Sequence, residues 1–260
     1  MPAEVKILVE GFTNADSVVD ASEEKTQPTI TLVRDENIIM IVDPGIIESQ
    51  QILTDALQKE NLTVNDVNIV CITHSHLDHY RNIGMFPKAK TLEYYGLWHK
   101  NNIEDWRENF TSNIKVLHTP GHDYTGITLL VTTDKGVVAI CGDVFWKKDY
   151  PREAKDDIYA SDYNKLKESR AMVVDMADWI IPGHGPMYKN NETEPEVVPK
   201  KESGLKSYFA KIREVKTIVV CKRCGEQMQQ KDRCLCVPYL CIRCCECGFD
   251  CPTCGCSHRR

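Results

Sequence analysis

The sequence predicts an α/β domain followed by a small metal-dependent module. Three observations carry that expectation. Short β-rich runs alternate with helical stretches through the first 185 residues. Several of those runs stop abruptly at loops rich in His and Asp. Eleven of the 13 cysteines fall between Cys221 and Cys256. The 260 residues suit one domain plus an accessory piece, and 42% hydrophobic content is enough for a real core.

The strands expected are Val5–Glu10, Thr29–Arg34, Ile38–Asp43, Ile69–Ile72, Thr91–Tyr94, Ile114–His118, Ile127–Thr132, Val137–Cys141 and Trp179–Ile181. Each is a run of apolar or β-branched residues closed by a turn signal. Helices are expected at Glu48–Lys59, with Ile52, Ala56 and Leu57 on one face, and at Asp162–Ala177, with Leu166, Met172, Val173 and Met176 as its stripe. Asn190–Lys201 holds two prolines and five charges and reads as a linker. The domain division expected is therefore 1–189, a linker at 190–201, and a Cys-rich tail at 202–260.

Charge divides the same way as cysteine. From Lys201 onward there are 12 Lys/Arg against 6 Asp/Glu, a net of +6, while the first 200 residues carry −12. No apolar run approaches the ~20 residues that span a bilayer. Met1–Lys6 shows no basic stretch leading into an apolar one, so neither a signal peptide nor a membrane partner is expected. The expected location is the cytoplasm, with the nucleus open.

The chemically loaded segment is Thr73-His74-Ser75-His76-Leu77-Asp78-His79, just after the apolar run Ile69–Ile72. Three His and one Asp in six residues cannot serve a core; buried without a cation they would cost several kcal/mol. At a strand end, His74 and His76 can face one point and Asp78 and His79 another. Neutral imidazoles and carboxylates are good zinc ligands, and iron or manganese suits the same donors. His122, Asp143 and His184 each stand just past a strand beside a glycine, in Pro120-Gly121-His122, Gly142-Asp143 and Pro182-Gly183-His184-Gly185. His118, His99 and Cys141 read as ordinary structural or surface residues.

In this order the segments resemble the metallo-β-lactamase superfamily, over about Val5 to Tyr188. The resemblance implies an αββα sandwich with a dinuclear metal site at one edge of two sheets. It implies His74, His76 and His122 on one metal, Asp78, His79 and His184 on the second, and Asp143 bridging. Asp43 in Val42-Asp43-Pro44-Gly45 would orient ligand histidines. Two such metals would supply hydroxide near neutral pH, and Asp78 would align it and could pass a proton to the leaving group. All seven ligand positions are filled, against a degenerate domain.

The 41 residues from Asp143 to His184 leave no room for the inserted domain of cleavage-and-polyadenylation nucleases. The segment after His184 does not resemble the helical glutathione-binding domain of glyoxalase II. Asn82–Pro87 and Gly142–Phe145 resemble a branch of small intracellular hydrolases implied to act as endoribonucleases on histone pre-mRNA. RNA is thus one candidate partner. A thioesterase or lactonase acting on a small acyl substrate is the alternative, and a zinc-dependent binding module is the non-enzymatic one. A homodimer is left open.

In the tail, Cys221/Cys224, Cys241/Cys244 and Cys251/Cys254 are Cys-x-x-Cys pairs, with Cys234 and Cys236 between the first two. Two-residue spacing lets both sulfurs reach one tetrahedral metal, so these eight thiolates would hold about two structural zinc ions. So little apolar content cannot fold without them. The pair order is similar to a RING finger, though without its His, and a protein partner is one use for such a tail.

Overall fold

A computed structural model describes residues 1–18, 21–106, 109–148 and 150–190, together with the backbone of 219–220 and 227–228. The chain divides into two units, Met1–Pro199 and Lys200–Arg260. In the second, Val219–Val220 pairs antiparallel with Gln227–Met228. The tail cysteines lie outside the described residues.

The first unit is built from two sheets. The larger has the order β1 (Glu4–Val9), β4 (Ile30–Asp35), β5 (Ile38–Val42), β6 (Ile69–Cys71), β7 (Lys90–Glu93), β8 (Gly96–His99), β9 (Asn102–Glu104). The smaller has the order β10 (Ile114–His118), β11 (Ile127–Thr133), β12 (Gly136–Ile140), β13 (Trp179–Ile181), β14 (Tyr188–Lys189). A two-stranded pair, β2 (Phe12–Thr13) with β3 (Thr26–Gln27), stands apart.

Side-chain alternation along the strands explains the layering. Val33, Met40, Val42, Ile69, Leu129, Val131 and Ile140 form one buried cluster with contributions from both sheets. Their strand neighbours Leu32, Ile41 and Val70 turn the other way and pack on Leu53 and Leu57 of α1 (Gln50–Lys59). On the opposite side, Leu130, Ala139 and Ile180 meet Leu166 and Val173 of α3 (Tyr163–Met176). The result is the αββα sandwich. Each fully buried Leu or Ile contributes roughly 1.5–3 kcal/mol relative to exposure.

The expected strands are all present, with no end shifted by more than one residue. Both helices start one or two residues inside their expected bounds because the leading residues cap them. The Ser49 side chain accepts from Gln51 N at 3.2 Å, and Asp162 accepts from Asn164 N and Lys165 N at 3.0 and 3.1 Å. The face expected for α1 is corrected. Ile52 is 40% exposed, and the i, i+4 pair Leu53/Leu57 is the buried one. In α3, Ser169 and Arg170 are buried with Leu166 and Val173, while Met172 and Met176 pack at the edge of that cluster. Asn190, placed in the linker by its composition, belongs to the body: its amide donates to Val174 O and Ala177 O at 2.7 and 2.6 Å. Among the described residues no helix is long and apolar enough to cross a membrane.

Candidate metal centre

Strand direction explains how His74 and His184, 110 positions apart in sequence, meet. β5, β6 and β7 run parallel, as do β12 and β13, while β10 and β12 both oppose β11 and so run the same way. The loops leaving β5, β6, β10, β12 and β13 carry Asp43, His74–His79, His122, Asp143 and His184. Asp78 and His79 sit in the short helix α2 (Leu77–Tyr80), one turn of helix within the segment expected as loop.

The site residues fall into two groups. His74, His76, His122 and Asp143 present ligand atoms within 4.8 Å of one another, and Asp78, His79 and His184 do the same. Asp143 spans both groups: Oδ2 lies 3.3 Å from Nε2 of His122 and of His184, and Oδ1 lies 3.4 Å from His79 Nε2. Two glycines make this approach possible. Gly142 has φ +50°, and a Cβ on Gly183 would stand 1.7 Å from Asp143 Oδ1.

The outward ring nitrogens are engaged by protein. Asp43 Oδ2 meets His79 Nδ1 at 2.9 Å while its two oxygens accept from Thr73 N and Thr73 Oγ1, both at 2.7 Å. Asp157 Oδ2 meets His122 Nδ1 at 2.7 Å. Gln27 O lies 3.0 Å from His184 Nδ1, and Thr73 Oγ1 lies 3.1 Å from His74 Nδ1. These acceptors fix Nδ1 as the protonated nitrogen of His79, His122 and His184 and turn their Nε2 lone pairs inward. Asp43 holds its place with φ +52°, a left-handed conformation that Asp tolerates better than most residues.

The donor set fits divalent cations. His74 Nε2 and Asp143 Oδ1 are buried with no hydrogen-bond partner among the described residues. His76 Nδ1 faces His122 Nε2 at 3.1 Å, and His79 Nε2 faces His184 Nε2 at 3.4 Å. Two acceptor nitrogens that close are stabilised by a proton or a cation between them. Burial drives His74 well below the usual imidazole range and His76 below it, which keeps neutral rings able to coordinate. Burial opposes charge on His79 too, yet the Asp143 and Asp43 carboxylates push it well up. Burial would likewise raise Asp143, but His184 and His79 hold it well below the carboxylate range, so it stays anionic and able to coordinate.

Comparison with known proteins agrees with this geometry. A model of the metallo-β-lactamase superfamily matches residues 24–101. Metallo-β-lactamase domain-containing protein 1 of Xenopus laevis is 31% identical over 200 residues, 72% of this chain and 82% of that protein. The chain belongs to the metallo-β-lactamase superfamily. It is a metal-dependent hydrolase of that fold with a His/Asp metal site. The human protein of the same name is 29% identical over 171 residues, 60% of this chain and 62% of its own length. A Thermotoga maritima protein assigned to the metallo-β-lactamases shares the fold with TM-score 0.59 at 22% identity, covering 73% of this chain and all of that one. An N-acyl homoserine lactone hydrolase, solved with N-hexanoyl-L-homoserine at its catalytic metal centre, shares it with TM-score 0.53 at 14% identity, over 70% and 92% of the two chains.

Around the superfamily ligands, several functional residues carried no signal in the sequence. Asp157 looks like one more acid in Lys155-Asp156-Asp157, yet it is fully buried against His122 and the Trp146 indole, whose Nε1 donates at 3.2 Å. Thr26 touches Asp78 Oδ2 at 3.2 Å and His184 Nδ1 at 3.1 Å from the β2–β3 pair, which is too short to read as strand. His118 lies on an exposed strand end against the Tyr94 and Trp106 rings, and His99 is exposed in the β8–β9 hairpin. Cys141 is buried packing, its thiol pushed up to about 12 by burial. The cleft above the ligands has a volume of about 350 Å³, with Ile46, Leu77 and Trp146 as apolar walls.

Proposed function

We propose that this chain hydrolyses a small acyl ester, thioester or lactone. His74, His76 and His122 would hold one divalent cation, Asp78, His79 and His184 a second, and Asp143 would stand between. Zinc is the default, with iron and manganese suited to the same donors. Bound there, the two cations would supply hydroxide near neutral pH and polarise the scissile carbonyl.

The protein's own share is orientation and proton handling. Asp43 and Asp157 fix the rings. Asp78, 18% exposed at the cleft floor, is the carboxylate open to an attacking water and to a leaving group, and can carry a proton between them. Ile46, Leu77 and Trp146 exclude water from the acyl chain.

The observation that carries the acyl reading is the cleft lining. Its volume suits a small molecule. No Lys or Arg stands among the described residues that line it. Lys147, which follows Trp146 in the chain, binds Asp16 at 2.7 Å instead. A phosphodiester backbone would meet Asp78, Glu24 and Asp143 there.

The second reading, phosphodiester cleavage of RNA, draws on the net +6 from Lys201 onward. In either case Cys221, Cys224, Cys234, Cys236, Cys241, Cys244, Cys251 and Cys254 are proposed to hold about two structural zinc ions. The deciding experiment compares p-nitrophenyl butyrate, a thioester and bis(p-nitrophenyl) phosphate on metal-loaded protein and on Asp143→Ala. The acyl compounds should turn over and Asp143→Ala should lose that activity. Faster turnover of the phosphodiester would replace the acyl reading, and near wild-type rates in Asp143→Ala would remove the two-cation mechanism.

A further inference from the structure

The cleft mouth holds one carboxylate that the hydrolytic chemistry does not use. Glu24, half-buried, lines the cleft two residues before Thr26, whose hydroxyl touches Asp78 and His184. Two residues span at most about 7 Å of chain, so Glu24 stands within one small-molecule length of the metal ligands. From across the mouth, the Tyr159 hydroxyl donates to Glu24 Oε2. Glu24 pushes that phenol up to about 12, so Tyr159 remains a donor at neutral pH.

Tyr159 is itself anchored. Its ring stacks on Trp146, with centroids 5.6 Å apart and planes 24° from parallel. Trp146 is buried and donates to Asp157. Tyr159 nevertheless remains 44% exposed toward the mouth. A fixed carboxylate beside an accessible aromatic ring is the pairing that recognises an organic cation, through charge and through the ring's quadrupole.

We infer that Glu24 and Tyr159 form an ammonium seat, and that the substrate is an acyl compound whose leaving arm ends in a cationic amine. The inference rests on the acyl-hydrolase reading. The carbonyl lies over the His/Asp site, the acyl chain lies against Ile46, Leu77 and Trp146, and the positive end reaches Glu24. Hydrolysis adds water across the acyl bond and releases the carboxylic acid and the cationic alcohol or thiol. Anionic leaving arms are repelled by the same carboxylate.

The test uses three butyryl thioesters on the full-length, metal-loaded protein: butyrylthiocholine, its uncharged 3,3-dimethylbutyl isostere, and S-butyryl-3-mercaptopropanoate. Released thiol reports the rate. Wild type should favour the cation over the isostere by roughly tenfold in kcat/KM, and disfavour the anion. Glu24→Gln, whose amide oxygen can still accept from Tyr159, should bring the cation-to-isostere ratio to about one. Glu24→Lys should move the preference to the anion. Equal turnover of cation and isostere by wild type, or a ratio that Glu24→Gln leaves in place, would overturn the seat while sparing the hydrolase. Choline binding, measured by calorimetry without turnover, separates the two ideas. Roughly tenfold weaker binding in Glu24→Gln supports the seat even if no thioester is cleaved, and unchanged binding overturns it. Failure of wild type to cleave any acyl compound would count against the hydrolase reading instead.

Discussion

At the scale of single residues, the site works through the nitrogens that face away from it. His79, His122 and His184 each give Nδ1 to a protein oxygen, and that sets which lone pair points inward. Asp157 is the partner no motif announces. Asp157→Asn keeps the volume and an acceptor but removes the charge that makes His122 a stronger ligand. Metal affinity should fall by roughly 10–100-fold, read by competition with a chromogenic chelator. Wild-type affinity in that variant would reduce Asp157 to packing. The candidate ligands were legible because His and Asp at strand ends have few other uses at that density, and the structure brings all seven together. Asp157, Thr26 and Glu24 were not, because an acid or a threonine in a polar stretch looks the same whether it faces solvent or a buried ring.

At the scale of elements, glycine positions and helix ends decide how closely ligands approach. Gly183 lets the β13 loop lie against Asp143, and Gly183→Ala would place a methyl 1.7 Å from Oδ1. That carboxylate would have to move, so cation binding and turnover should be lost together, while circular dichroism shows the sheets intact. Full metal content in Gly183→Ala would show that Asp143 has room to spare. The end of α1 offers a different test. Its C-cap Glu60 is paired with Lys6 and with Arg34 at 3.3 Å, and these partners, Lys6 foremost, lower its carboxyl below the ordinary 4.5. A depressed folded value means the stabilisation is present above pH 4.5 and fades as pH falls through the lowered value. Glu60→Gln should therefore destabilise by about 0.5–1 kcal/mol at neutral pH, and by nearly nothing well below the lowered value. An equal loss at every pH would trace the effect to the packing of the Glu60 side chain rather than to its charge. The strands and both long helices were readable from periodicity. The buried face of α1 was not, because Ile52 and Leu53 are both apolar, and tertiary contact chose Leu53. Nor was the β8–β9 hairpin, whose side chains are largely exposed and lack the alternation of a half-buried strand.

At the scale of the whole molecule, charge and cysteine divide the chain near the point where its contacts divide it. The three apolar clusters of the body draw on residues between Ala3 and Tyr188, and Asn190 closes it against the end of α3. A core that closes on itself tolerates loss of the chain beyond it. A chain ending at Lys200 should fold with unchanged Tm, bind two cations at the His/Asp site and retain turnover of small acyl compounds. If the eight tail thiolates hold two tetrahedral zinc ions as proposed, it should contain about two fewer zinc ions than the full chain. The net +6 of the missing segment supplies a second readout. If that segment draws in an RNA, full-length protein should bind RNA with an affinity that falls as salt rises, and the shortened chain should lose that binding while its small-substrate kcat/KM stays the same. Loss of small-substrate turnover from a shortened chain that is still folded and metal-loaded would mean that the Cys-rich segment completes the cleft, and catalysis would then belong to the whole chain rather than to residues 1–190.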